Sequence, residues 1–257
     1  MNATVTTSIW NLALPITTAA ETIKIYFWNL GVLLVGVNNE RQVSFATSIT
    51  SNQFIDSAIL ERLILDEPAL GGGEPITHVY LASNKSMLIP KQVYDSETSP
   101  GWLQHIHEVN YDETIMTATI AKPASYALNV VNEPILSFFK ATFPNALIDN
   151  IHPLFIPYIA PEKPTLILSI LDNTVVYAYY FEQKLINHQV EYGVNTSAVL
   201  LSIYAHFEHL NVAQENITIE LHGYGHQFKA IQEFLSAYFQ VQTITDTSFF
   251  NHLIVCE

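Results

Sequence analysis

"TLILSILDNTVVYAYYFEQKLINHQVE", residues 165–191, decides the reading of this chain. "TLILSIL" (165–171) is a short, wholly apolar run of the kind that forms a buried strand. "TVVYAYYF" (174–181) and "KLINHQVE" (184–191) carry the β-branched and aromatic bias of strands. Downstream, Val199, Leu200, Ile203, Tyr204, Phe207 and Leu210 recur at helical spacing, with Asn195 to Ser197 as capping candidates. "NITIELH" (216–222) reads as a strand, "QFKAIQEFLSAYF" as a helix, and "VQTIT" as a strand again. "SFFNHLIVC" is expected to add another strand. The order is βββαβαβ.

The first half repeats that order. "IKIYFW" (23–28) and "VLLVGV" (32–37) are joined by "NLG", and Asn38-Asn39 turns the chain into "QVSFATS" (42–48). A helix is predicted from about Asn52, ending before Pro68. "THVYLA" (77–82) is a strand, a helix starts at Asn132-Glu133-Pro134, and "ALIDNI" closes the set. Residues 87 to about 131 are extra and contain a helix opened by Ser99-Pro100 and two strand-like runs. Prolines 153, 157, 161 and 164 resist both helix and central strand, which places a boundary near residue 160. The expectation is an α/β chain with mixed sheets and two domains, 1–160 and 161–257, the first carrying an insertion at about 87–131.

Composition narrows the function. Of 257 residues, 49% are hydrophobic and 13% charged, so the chain can bury enough surface to fold. The net charge of −14 repels phosphate backbones, so nucleic acid is not an expected partner. No apolar run reaches the length of a membrane-spanning helix, so no membrane span is expected. No Lys or Arg precedes Lys24, which argues against a secretory signal and for a cytoplasmic protein. Cys256 is the single cysteine and lies in an apolar tail, which suits neither a disulfide nor a nucleophile.

The paired βββαβαβ plan resembles the actin-like ATPase architecture, two ribonuclease H-like domains facing each other. "MLIPKQVY" (87–94), "LNVVNEPILSFFKATFPNALIDNIHPL" (128–154), "KLINHQVEYGVNTSAVLLSIYAHFEHLNV" (184–212) and "LHGYG" resemble segments of a family of uncharacterised bacterial proteins assigned to that fold. The resemblance runs from about Ile23 onward and implies a fold rather than an activity. A neighbouring branch of the fold scaffolds pilus assembly.

The resemblance also implies where a nucleotide would bind. Active actin-like proteins hold ATP and Mg²⁺ with an Asp-x-Gly turn in the first hairpin of each domain and a Gly-rich turn against the adenosine. This sequence has Asn29-Leu30-Gly31 in the first hairpin, keeping the glycine and losing the carboxylate. It has Asp172-Asn173-Thr174 in the second, keeping the carboxylate and losing the glycine. Gly223-Tyr224-Gly225 is the best-preserved device. Each of these residues also has a purely local reading as a turn former.

The expectation is a non-catalytic interaction or structural protein with an unidentified protein partner. Asn29, Gly31, Asp172, Gly223 and Gly225 are then remnants of a nucleotide cleft. The alternative is an ATP-binding protein, ATPase or phosphotransferase in which Asp172 holds the metal, Gly31 approaches phosphate, and Gly223 and Gly225 flank the adenine. Among the histidines, His206 and His209 have the i, i+3 spacing of a metal pair but lack further ligands, and read as solvated surface.

Overall fold

Alternation within the strands separates the side chains into layers. The computed structural model describes residues 7–12, 19–157, 159–193, 195–210 and 217–255. The side chains of His206 and His209, and Cys256, lie outside the described residues. The first half runs β1 (Thr7–Asn11), β2 (Thr22–Trp28), β3 (Gly31–Val37), β4 (Val43–Ser51), α1 (Ser57–Leu65) and β5 (Ile76–Leu81). It continues through β6 (Ser86–Pro90), α2 (Ser99–Ile106), β7 (Glu113–Ile120), β8 (Ser125–Asn132), α3 (Glu133–Thr142) and β9 (Leu147–Asn150). The second half runs β10 (Thr165–Leu171), β11 (Thr174–Phe181), β12 (Lys184–Tyr192), α4 (Thr196–Leu210), β13 (Thr218–Tyr224), α5 (His226–Ser236), β14 (Gln240–Thr245) and α6 (Asp246–Val255).

Two mixed sheets share one plan. In the first, of order β1-β4-β3-β2-β5-β9, the neighbours β2, β3 and β4 pair antiparallel, while β5 and β9 add in parallel. In the second, of order β12-β11-β10-β13-β14, β10 to β12 pair antiparallel and β13 and β14 add in parallel. Apart from β1, the order is the same in both. The extra segment forms a third, antiparallel sheet, β6-β8-β7, with α2 beside it.

Period-2 alternation assigns each face. Ile23, Ile25 and Phe27 of β2 join Ile59, Leu60 and Ile64 of α1 and Ile135, Leu136 and Phe139 of α3 in one core. Leu166, Leu168 and Ile170 of β10 do the same with Val199 and Ile203 of α4 and Ile231 and Leu235 of α5. The other faces meet each other. Tyr26, Trp28, Leu33 and Val35 share a cluster with Leu171, Val176, Val190 and Tyr224, and with Phe249, Phe250, Leu253 and Ile254 of α6. The two halves are therefore joined by a continuous apolar layer.

Caps set the helix starts. Asp56 accepts from the Ile59 amide at 2.8 Å, and Asn132 from the Ile135 amide at 3.3 Å. The Asn195 carboxamide accepts from the Ala198 amide at 3.0 Å, as its position in the sequence predicts. Two expectations are corrected. The first helix begins at Ser57 rather than near Asn52, because Ile55 donates to the Asn29 carbonyl and Asp56 supplies the cap. The described part of that last segment, "SFFNHLIV" (248–255), lies in helix α6, not a strand, because Phe249 with Leu253 and Phe250 with Ile254 form i, i+4 pairs that fill the layer between the sheets. Among the described residues, no helix is long and apolar enough to cross a membrane.

Candidate functional site

The three candidate turns, two of which bear glycine, lie at the ends of strands that face the shared layer. In the first hairpin, Trp28 pairs with Gly31 across Asn29-Leu30. Trp28 is fully buried, and a Cβ at Gly31 would stand 2.5 Å from its Cζ2. The bare α-carbon of Gly31 is thus occupied by its own hairpin's indole. Asn29 offers its carbonyl to the Ile55 amide at 2.8 Å, and Leu30 offers its carbonyl to Ser51.

In the second hairpin, Leu171 pairs with Thr174 across Asp172-Asn173, and Asp172 takes φ = 55°. An Asp tolerates that left-handed geometry better than most residues. In the third turn, Gly223 pairs with Ile170 in parallel register, and a Cβ there would fall 2.2 Å from the Ile170 carbonyl oxygen. Gly223 is required by strand-to-strand approach. Gly225, at φ = 93°, is the N-cap of α5, and a Cβ on it would lie 3.1 Å from Asp172 Oδ1. The fold therefore brings Asp172 and Gly225 together, as the parallel pairing of Leu171 with Tyr224 dictates.

Between these turns stands Tyr224. It is buried, and its hydroxyl donates to Ser48 Oγ on β4 at 3.0 Å. Trp10 lies 4.8 Å from its ring, and Phe250 lies at 5.2 Å. Burial pushes its phenol well above the usual range; the Ser48 bond partly offsets this and the Asp172 charge adds to it. Tyr192 makes a second bridge between the halves, donating to the Ala82 carbonyl at 3.3 Å. Trp28, Leu30, Leu171 and Tyr224 belong to one apolar cluster. Sequence reading missed Trp10 and Ser48, which reach this place only through long-range strand pairing.

A groove of about 510 Å³ adjoins Gly225, lined by Trp10, Tyr224, Phe228, Lys229 and Gln232 among others. Elsewhere, His152 Nδ1 and His188 Nε2 lie 2.8 Å apart, linking the segment after β9 to β12. Burial, and the neighbouring His188, push His152 well below its ordinary value; burial brings His188 to about 4. Among the described residues, no group of three or more His, Cys, Asp or Glu is placed to hold a metal.

Residues 34–241 match the profile of a family described as "Protein of unknown function (DUF3822)". The chain belongs to this family. No curated protein matches this DUF3822 sequence. Among solved structures, it is similar to a protein of actin-like ATPase fold and unknown function from Bacteroides thetaiotaomicron, with 15% identity and a TM-score of 0.73 over 95% of this chain and 100% of that one. It is also similar to PilM of the PilM–PilN type IV pilus biogenesis complex, with 11% identity and a TM-score of 0.55 over 91% and 96% of the two chains. The cytoplasmic domain of EpsL, an inner membrane component of the type II secretion system of Vibrio cholerae, matches at 13% identity and a TM-score of 0.50 over 91% and 93%. The DUF3822 chain thus has the actin-like ATPase fold.

Proposed function

We propose that this DUF3822 protein is a non-catalytic member of the actin-like fold that works by binding other proteins in the cytoplasm. The observation that carries this reading is the filled layer between its hairpins. Actin-like ATPases need bare backbone and a carboxylate at each phosphate turn. Here the Trp28 indole covers Gly31, the backbone of Ile170 abuts Gly223, and Tyr224 is buried with its hydroxyl tied to Ser48. Asn29 cannot supply the negative charge that Mg²⁺ favours. These residues do not fit a magnesium triphosphate, and Asn29, Gly31, Asp172, Gly223 and Gly225 act as turn formers. A division near residue 160, with 87–131 inserted in the first domain, accompanies this reading. The relatives EpsL, a secretion-system component, and PilM, seen in complex with PilN, support a role in assemblies.

The test is thermal melting and phosphate release with Mg-ATP. Ligand at one hundred times its dissociation constant stabilises a native state by about 2.7 kcal/mol. We expect no such gain and no turnover. A rise of several degrees that Asp172→Ala removes would overturn the reading.

One observation favours a second reading. Asp172 and Gly225 do meet, and Lys229 lines the groove beside them. A nucleotide held in that groove, with Lys229 near phosphate, would make this an ATP-binding protein with a remodelled site. The same Mg-ATP melt, repeated on Lys229→Ala, separates the two.

A further inference from the structure

β1 is the outermost strand of the first sheet, and among the described residues only β4 pairs with it. Its five residues, Thr7 to Asn11, pair with Ser51 to Thr47 in unbroken register. Edge strands are usually blunted by a charge, a proline or a bulge. β12 is bulged at Ile186, and β6 ends in Pro90. β1 carries none of these devices, and four of its five residues are exposed.

The backbone of β1 has a defined outward set. Leu12 donates to the Ala46 carbonyl at 2.9 Å, so Trp10 and Ser8, two and four residues earlier, also turn their N–H and C=O toward β4. Thr7, Ile9 and Asn11 therefore turn theirs away from the sheet. Their donors and acceptors form a row that one more strand can pair with.

The side chains leave space on both faces of that edge. Period 2 puts Ile9 on the α1 face and Trp10 on the opposite one. On the α1 face a cavity of about 290 Å³ lies between the edge and the helix. Ile9, Ile49, Ile59 and Leu63 make it apolar, and Ile9 is 60% exposed. Asp66 and Glu67 also line it, against the single cation Arg62. On the other face, Trp10 lines the groove of about 510 Å³ with Phe228 and Gln232.

An unblocked edge beside an apolar, acid-lined notch selects its guest by chemistry. The stems of Lys or Arg suit the Ile and Leu surface, and their charged heads suit Asp66 and Glu67. A second copy is disfavoured, because each chain carries −14 and two repel, whereas a positive segment is drawn in. We propose that β1 binds an extended, basic segment of a partner protein, added as a further strand on its outer edge, with Lys or Arg toward α1 and apolar side chains toward Trp10. Backbone bonds to Thr7, Ile9 and Asn11 supply the affinity and register, and the acids steer the encounter. This deepens the interaction reading above and rests on it.

The test is amide hydrogen exchange, read by NMR on the full chain, with a pool of peptides about eight residues long. Lys stands at alternate positions in the pool, with mixed Val, Leu, Ile and Phe between them. A second pool replaces Lys by Glu. In the free chain we expect slow exchange at Ser8 and Trp10 and fast exchange at Thr7, Ile9 and Asn11. The basic pool should slow those three amides, and the acidic pool should not. D66N/E67Q removes both charges and keeps a side-chain oxygen at 67 for the Ala69 amide. It should weaken binding at least about tenfold while leaving the melting temperature unchanged. Ile9→Pro deletes one outward donor without touching the Ser8 and Trp10 bonds to β4, and should abolish binding. Salt raised from about 0.05 to about 0.5 M should weaken the parent's binding. Slow exchange at Ile9 in the free chain, no protection at millimolar basic pool, equal response to the acidic pool, or binding retained in D66N/E67Q would each overturn the proposal. Concentration-dependent protection of the same amides without peptide would assign the edge to a second copy of the chain and overturn it as well. Stabilisation by Mg-ATP would instead refute the non-catalytic reading and is read in a separate measurement.

Discussion

The hydroxyl of Tyr224 donates to the hydroxyl of Ser48 at 3.0 Å, across 176 positions of the chain and between the two large sheets. Both residues are buried. The bond sits where the Gly-Tyr-Gly turn and the first sheet approach each other, so it reports directly on how tightly the halves are joined. Tyr224→Phe removes the donor and leaves Ser48 in an apolar setting, which should cost about 1–2 kcal/mol. Tyr224→Ala also empties the space against Trp10 and Phe250 and should cost about 3–5 kcal/mol. Urea unfolding of both variants checks the order. Equal costs would mean that the ring does not pack as described.

Gly31 and Trp28 form a second coupled pair. A methyl at position 31 meets the indole at 2.5 Å, so Gly31→Ala should destabilise by about 1–3 kcal/mol through overpacking. Trp28→Leu creates a cavity and is costly alone. Together the two changes should cost clearly less than their sum, because the smaller side chain admits the methyl. A double-mutant cycle measured by denaturant melts tests this. Strict additivity would show that Gly31 is not constrained by Trp28.

Much of this architecture is legible in local pattern. β2 and β3 read as strands because aromatic and β-branched residues fill them, and the structure buries nearly every position on one face or the other. Asn132 announces its helix by standing before Pro134 in the first turn, whereas the Asp56 cap of α1 is obscured by Asn52, a second plausible start. α6 was legible too: the i, i+4 spacing of Phe249, Phe250, Leu253 and Ile254 is helical, but a short window rich in aromatics mimics a strand. The candidate site divides in the same way. The three turns are visible because Gly, Asn and Asp mark them. Their surroundings are not, since Ser48 and Trp10 reach Tyr224 through pairings such as Trp10 with Ser48, which no local pattern encodes. β1 and β6 were also missed, and with β1 the free edge that it presents.

The two glycines of the third turn should respond unequally. At Gly223 a methyl would collide with the Ile170 carbonyl at 2.2 Å, in a backbone geometry that L residues rarely adopt. Neither strand can move without breaking the β10–β13 pairing. Gly223→Ala should therefore cost more than about 3 kcal/mol. At Gly225 the nearest atom is the Asp172 carboxylate oxygen at 3.1 Å, which can rotate aside. Gly225→Ala then bears mainly the positive-φ penalty, about 1–2 kcal/mol. Thermal melts of the two variants should differ by several degrees, and similar values would contradict the strand-approach explanation of Gly223.

The His152–His188 bond predicts a pH dependence with a defined sign. In the folded chain, burial holds His188 at about 4 against an ordinary 6.5, and burial with the adjoining His188 lowers His152 in the same direction. The unfolded chain therefore binds more protons than the folded one between these values. Stability that is fully present above about pH 6.5 is lost as the pH falls toward 4, below which His188 is protonated in both states and the loss is complete. The full loss from His188 should be on the order of 3 kcal/mol. Glu113, which the Asn110 amide and Lys85 hold low against its burial, contributes a separate loss only below its ordinary 4.5. His188→Asn keeps a polar group at this place but cannot titrate. Denaturant melts from pH 7 to pH 4.5 should fall steeply for the parent and less for the variant. Parallel curves would show that the histidine pair does not carry the acid sensitivity of the interface.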